Sequence, residues 1–360
     1  MQNFLTRTTI KVGMIEKTIE GNLYKLPGAL TPFQEKMYVH LINWKWQSIT
    51  KEVGSYQRKD EKGEEKTYEY DAILPKSVHE KYPIIYPEVL MQLKKHKKKF
   101  DFKLHEHFNH MASSQAANVN LFLPILLNTK TNDIVKGLKP DFEKLATDQL
   151  DNGFRLEFWD GKDEEEGLLN DHTKVAGTDS DIAIAYYNKK TELCLWLIEH
   201  KLTEKEFTTC GGYKSKGNKT KDNCRSNSFR TILKNKDLCY YHRVKNYRYW
   251  DITESNKDFF ANGDDNTPCP FKGGMNQLWR NQLLALGLEK QGKYKHVYFS
   301  VVHHPENKSL HLTMNNYRKL INDNEKFSSY TSKQVIDSAI LVNDKKLNKW
   351  IEWYRELYNI

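Results

Sequence analysis

Asp181 opens an apolar run, IAIAYY, and a second apolar run, LCLWLI, passes directly into Glu199-His200-Lys201. Two carboxylates and an amine at one end of a hairpin suit phosphodiester hydrolysis. The acids offer hard oxygen ligands to Mg²⁺, and the amine offsets charge at phosphorus. Side chains alternate along a strand, so Glu199 and Lys201 share one side while His200 faces away and offers the site only its backbone. The pattern acid-x-Lys recurs at 60–62, 64–66, 101–103, 160–162, 306–308 and 344–346, but only the copy at 199 ends an apolar strand directly. The competing interpretation is an ordinary hairpin with a surface salt bridge. Charges set beside six apolar residues are costly unless something binds them.

These residues need elements to hold them. Asn188-Lys189-Lys190-Thr191 turns the hairpin, and FRLEFW at 154–159 predicts a short strand before it. EHFNHMASSQAANVNLFLPILLN, at 106–128, predicts a helix ended or broken near Pro124, and PDFEKLATDQLDNG a second helix over 140–153 with Gly153 as its stop. MNQLWRNQLLALGLEKQG at 275–292 carries a helical apolar stripe, and KHVYFSVVHH predicts a strand over 295–304. Gln277, Arg280 and Asn281 fall on one face of the first of these. Gln282 lies further round, at the edge of the stripe. Near the start, Thr31-Pro32-Phe33-Gln34 has the form of an N-cap, a proline at the first helical position and a capping-box Gln. Residues 53–70 form a charged hairpin tip or loop. MQLKKHKKKFDFK at 91–103 is a dense basic cluster, most simply a solvated helix face. Residues 211–228 are a Gly/Lys/Ser/Asn-rich loop, and KKLNKWIEWYRELY ends the chain as an amphipathic helix.

The chain has 360 residues, 38% of them hydrophobic, with 20 Tyr, 16 Phe and 8 Trp, enough for a real core. Its net charge of +9 favours polyanionic partners, nucleic acid first. No apolar run approaches the roughly eighteen residues that span a bilayer, and MQNFLTRTTIKVG lacks a signal peptide's apolar region, so a cytoplasmic protein is expected. His105, His107 and His110 lack the HExxH spacing of a zinc protease. Cys194 sits inside the apolar strand as a core residue. Cys210, Cys224, Cys239 and Cys269 fall in one polar stretch without a C-x-x-C pair. They are either separate thiols or a structural site for zinc or an iron–sulfur cluster.

The order helix, strand, strand opening with an acid, strand ending in E-x-K, helix, strand resembles the core of the PD-(D/E)XK nuclease superfamily, the restriction-endonuclease-like fold. The stretches SSQAANVNLFLPIL, TDSDIAIAY, LIEHKLTEKEF, CGGY, CPFKGG and QLWRNQLLA are similar to a bacterial family of restriction endonucleases within it. The likeness covers roughly residues 105–305, and the motif here lacks a Pro-Asp dipeptide.

The resemblance implies an α/β fold, a central mixed sheet flanked by helices, with an added N-terminal region and C-terminal helices. The nuclease core would span 101–313 with a Cys-containing insertion at 205–272, preceded by a region of unknown role over 1–100 and followed by a helical segment over 314–360. It also implies that Asp181, Glu199 and the His200 backbone carbonyl ligate Mg²⁺ (or Mn²⁺), that Lys201 orients or helps deprotonate the attacking water, and that Gln115 or Glu157 supports them. Gln277, Arg280, Asn281 and Gln282 would face the scissile phosphate or the bound strand. The expected function is a metal-dependent endonuclease on double-stranded DNA in restriction or defence, acting as a monomer or a homodimer. The rivals are an RNA- or single-strand-specific nuclease of the same fold and a binding module without catalysis.

Overall fold

The computed structural model describes residues 14–59, 64–100, 102–105, 107–161, 167–173, 177–322 and 324–360. Residues 60–63, within the expected charged hairpin tip or loop, and 162–166, within the acidic stretch of the sequence, lie outside them. Strands β1 (Met14–Ile19) and β2 (Asn22–Pro27) pair as a hairpin. Helix α1 (Pro32–Ser48) begins as its sequence predicts: Thr31 and Gln34 form a reciprocal capping box with Pro32 at the first helical position. A second hairpin, β3 (Gly54–Lys59) with β4 (Glu65–Tyr70), precedes α2 (Leu90–Phe100), α3 (Ser114–Leu126) and α4 (Thr131–Lys136).

The central sheet is mixed and six-stranded. It is built from β5 (Phe142–Leu145), β6 (Phe154–Phe158), β7 (Ser180–Asn188), β8 (Leu193–Lys201), β9 (His296–His303) and β10 (Phe327–Thr331). The order is β10-β9-β8-β7-β5, with β6 also on β7. β7 runs antiparallel to β8, whereas β8, β9 and β10 are mutually parallel. A parallel pair needs a long crossover. Between β8 and β9 it consists of α5 (Gly211–Lys214), α6 (Lys221–Ser226), α7 (Phe229–Lys234), α8 (Tyr240–Arg243), α9 (Tyr249–Ser255) and α10 (Met275–Lys290). Helices α11 (His311–Leu320), α12 (Ser332–Ile340) and α13 (Lys345–Tyr358) complete the chain.

Period-two alternation divides the core into two layers. Ile182, Ile184, Trp196 and Ile198 pack with α1, α3, α12 and α13. Ala183, Ala185, Leu195, Leu197, Phe299 and Val301 pack with α10, α11 and the short helices. Continuous burial of β7 and β8 follows, because both faces are covered. Tyr24, Met37 and Leu41 from the first hundred residues share the first layer with Trp350 and Tyr354 from the last fifteen. Trp350 Nε1 donates to the Asn120 carbonyl at 2.7 Å, fastening α13 to α3.

Several elements differ from expectation. Residues 140–153 form β5 and turns, not a helix. The edge of β7 captures them: Phe142 stacks on Tyr186 with centroids 5.2 Å apart, and Ala146 N–H donates to the Ala185 carbonyl. Left-handed φ values at Leu150, Asn152 and Gly153 then bend the chain back into β6. The helix expected from 106 starts only at Ser114, with Ser113 as N-cap. Ahead of it Met111 N–H bonds the Ala72 carbonyl, so the preceding segment is committed elsewhere. The 211–228 loop contains α5 and α6. The C-terminal segment is not purely helical, since it supplies β10 to the sheet.

Candidate active site

The register of the sheet sets three acids in a row. Ile182 pairs with Ile198, so the next residues outward, Asp181 and Glu199, stand opposite each other. Leu156 pairs with Ile182 and Phe158 with Ser180, which places Glu157 opposite Asp181. Glu157 itself leaves the ladder with φ of 46°, a left-handed backbone that costs energy in a non-glycine residue. Glu157, Asp181 and Glu199 thus occupy three neighbouring strands. Asp181, Glu199 and Lys201 alternate with the residues of the first layer and face the α10 side.

Glu199 is held on both oxygens. Its Oε1 accepts from Gln277 Nε2 at 2.7 Å and pairs with Lys201 Nζ at 2.8 Å, while Oε2 accepts from Asn281 Nδ2 at 2.9 Å. Gln277 is oriented in turn, because its Oε1 accepts the Thr208 N–H. Asp181 Oδ2 accepts the His200 backbone N–H at 2.6 Å, and Asn118 Nδ2 of α3 bonds the Asp181 carbonyl at 3.0 Å. The acids are therefore fixed from both sides of the sheet.

Burial, then the Glu199 and Glu157 charges, pushes the Asp181 carboxyl well above its usual range. Burial pushes Glu157 up to about 8, with Gln115 bonding against the shift. Burial would lower Lys201, but Glu199, Glu204 and Asp181 outweigh it and hold the ammonium charged above its ordinary value. Carboxylates crowded in a protected site, with one cation among them, are a pattern that functional sites share.

A second network braces the approach to Asp181. Asp171 accepts from the hydroxyls of Thr178 and Tyr249, and Arg280 Nη1 reaches Thr178 Oγ1 at 3.2 Å. Asp179, next to it, pairs with His172 at 2.8 Å, and burial followed by Asp171 and Glu199 pushes its carboxyl up to about 7.

The expected residues divide accordingly. Asp181, Glu199, Lys201, Glu157 and Gln277 come together. Gln115 joins them through Glu157, and its own Oε1 accepts the His105 N–H. Gln282 is fully buried and its amide makes no bond to the acids. Asn118 was not singled out as a site residue. Asn281 shares the i, i+4 face with Gln277, and that spacing is the signal that finds it. Cys210, Cys224, Cys239 and Cys269 come from four segments into one neighbourhood, where burial first and then neighbouring thiols push up the thiols of Cys210 and Cys269. Cys210 Sγ accepts the Tyr213 N–H at 3.4 Å. Among the described residues no group of three or more His, Cys, Asp or Glu side chains is arranged to hold a metal ion, and no helix is long and apolar enough to cross a membrane.

No curated protein and no solved structure matches the chain. A family model does, over residues 51–359, described as "Restriction Endonuclease associating with ARP". The match takes in every acid of the row, Lys201 and both amides that hold Glu199, as well as β10 and α13. The chain belongs to this family of restriction endonucleases.

Proposed function

We propose that the protein is a metal-dependent endonuclease of the PD-(D/E)XK type that hydrolyses phosphodiester bonds of double-stranded DNA in defence against foreign DNA. The observation that supports this most directly is the acid row Glu157–Asp181–Glu199 closed by Lys201. The family supports the defence role.

The donor set fits Mg²⁺. That ion takes hard oxygens, and one or two carboxylates with waters and substrate phosphate suffice, so a closed set of three protein ligands is not required. Asp181 Oδ2 is occupied by the His200 N–H, which leaves Oδ1 for the ion. Asp181 and Glu199 would hold it with the His200 carbonyl. When bound, it supplies a water of lowered pKa and charge neutralisation at the phosphoryl oxygens. Gln277 and Asn281 keep the Glu199 carboxylate turned toward Asp181. Lys201, protonated, is placed to donate to an oxygen on phosphorus once substrate competes with Glu199 for it. Glu157, opposite Asp181, is placed to hold or pass a proton at the row's far end.

A structural zinc on Cys210, Cys224, Cys239 and Cys269 belongs to the same proposal: the thiols lie in one neighbourhood, and zinc would have to draw them into a ligand set that they do not form by themselves.

Replacing Lys201 by Met tests the assignment. Duplex binding in EDTA should persist while cleavage falls by about 100-fold or more. Cleavage at the wild-type rate would remove Lys201 from the chemistry. Cutting of RNA or single strands alone would transfer the site to those substrates.

A further inference from the structure

A second basic feature lies beside the acid row on the same end of the sheet. Lys201 pairs in register with His303 on β9, and His303 with Thr331 on β10. Residues 201 and 303 thus share a face at ordinary strand spacing, ~4.8 Å. His303 and Thr331 line a cavity of about 240 Å³ whose other walls include Lys308, His311, Asn315 and Arg318.

Two cationic side chains, Lys308 and Arg318, and two histidines line this cavity, and no carboxylate does. Among the described residues none of the four makes an ion pair: Glu306, two residues from Lys308, is taken by Lys36 at 2.6 Å. The Arg318 guanidinium is fixed by Ser329 Oγ at 2.6 Å and Asn315 Oδ1 at 3.3 Å. His303 and His311 stand with ring centroids 5.2 Å apart, and His303 Nδ1 donates to the His304 carbonyl, which fixes that ring in the cavity wall. Burial lowers the His303 and His311 pKa values, and the neighbouring Lys308 and Arg318 lower them further. The histidines are therefore neutral walls, and the uncompensated cations Lys308 and Arg318 beside this polar cavity make an anion site.

We propose that this cavity binds a backbone phosphate of the nucleic-acid strand a few nucleotides from the scissile position, with Arg318 and Lys308 as the principal donors and the two histidines beside them. One strand of duplex carries a phosphate per ~3.4 Å of axis, so a cavity one to two strand spacings from Lys201 falls within reach of the next few phosphates. The inference rests on the nuclease proposal for its substrate, but its test needs no cleavage.

The test is binding of a blunt duplex by wild type, Lys308→Ala and Lys308→Ala/Arg318→Ala in EDTA, titrated over salt. Lys308 is exposed, so its removal leaves the fold intact. Arg318 also packs on Phe327, so the single Lys308 variant carries the test if the double variant fails to fold. Each lost phosphate contact should weaken binding several-fold and reduce the salt slope by about 0.9. Unchanged affinity and slope in Lys308→Ala, or no duplex binding by wild type, overturns the proposal. Duplexes with 5′-phosphate and 5′-hydroxyl ends should bind alike. Dependence on the end group would make a terminal phosphate the ligand and overturn the backbone assignment. Failure of the nuclease proposal looks different: binding with these same salt effects, and no cutting in Mg²⁺.

Discussion

Asn281 Nδ2 stands 2.9 Å from Glu199 Oε2 and is buried, as is the carboxylate it holds. The amide comes from α10 and the acid from β8, so the pair clamps helix to strand at the point where the acids converge. With Gln277 on Oε1, Glu199 has little rotational freedom left.

Asn281→Ala and Gln277→Ala should therefore act through Glu199. Loss of such an outer partner typically costs about 10- to 100-fold in metal affinity or activity. The expected signature is a rise in the Mg²⁺ concentration needed for half-maximal cleavage, with duplex binding in EDTA unchanged. A fall in rate with no change in metal dependence would reduce both residues to ordinary packing.

The cysteines make a prediction independent of catalysis. Purified protein should contain about one zinc per chain, and Cys224→Ser/Cys269→Ser should lose it together with thermal stability, since structural zinc contributes folding energy. Absence of zinc with full stability would make the four separate reduced thiols, and visible charge-transfer absorption would indicate an iron–sulfur cluster in its place.

The buried histidines should weaken the fold in mild acid, against the opposite pull of Glu157 and Asp179, whose raised carboxyls hold protons in the folded state that the unfolded chain gives up. Burial pushes His110 down to about 3 and His304 down to about 4. In each, Nδ1 accepts a backbone N–H, from Ala112 at 3.0 Å and Glu306 at 3.2 Å, which requires the neutral ring. The unfolded chain protonates these rings near the ordinary value of 6.5 and the folded chain does so only far below it. The unfolded state therefore binds more protons between those values. The contribution is fully present above pH ~6.5 and is lost as pH falls toward 4 and 3. Urea midpoints at pH 8, 6.5 and 5 check this. His304→Gln should lose less stability than the wild type between pH 8 and 5, and an equal change in the two proteins would contradict the assignment.

The hairpin that carries Asp181, Glu199 and Lys201 was legible because two six-residue apolar runs flank one turn and only one acid-x-Lys ends such a run. Helices α1, α10 and α13 were legible from their caps or apolar stripes. The stretch at 140–153 was not: its local pattern is helical, and only the free edge of β7, a contact about forty residues distant, makes it a strand. Strand β10 is likewise short and polar on its own, and it is defined by parallel pairing with β9. Asn118 could not be found from spacing, because its bond to the Asp181 carbonyl depends on how α3 crosses the sheet. Glu157 could be guessed but not placed, since its row position follows from the register of β6 on β7.

Nicking and linearisation of supercoiled plasmid by the wild type and by Asp181→Ala, each with Mg²⁺, Mn²⁺ or EDTA, measures the central claim most directly. The acid row predicts cutting by the wild type with either metal, none in EDTA, and loss of about 100-fold or more in the variant. Cutting that survives in EDTA or in Asp181→Ala, or a wild type that binds plasmid and never cuts it, would contradict it.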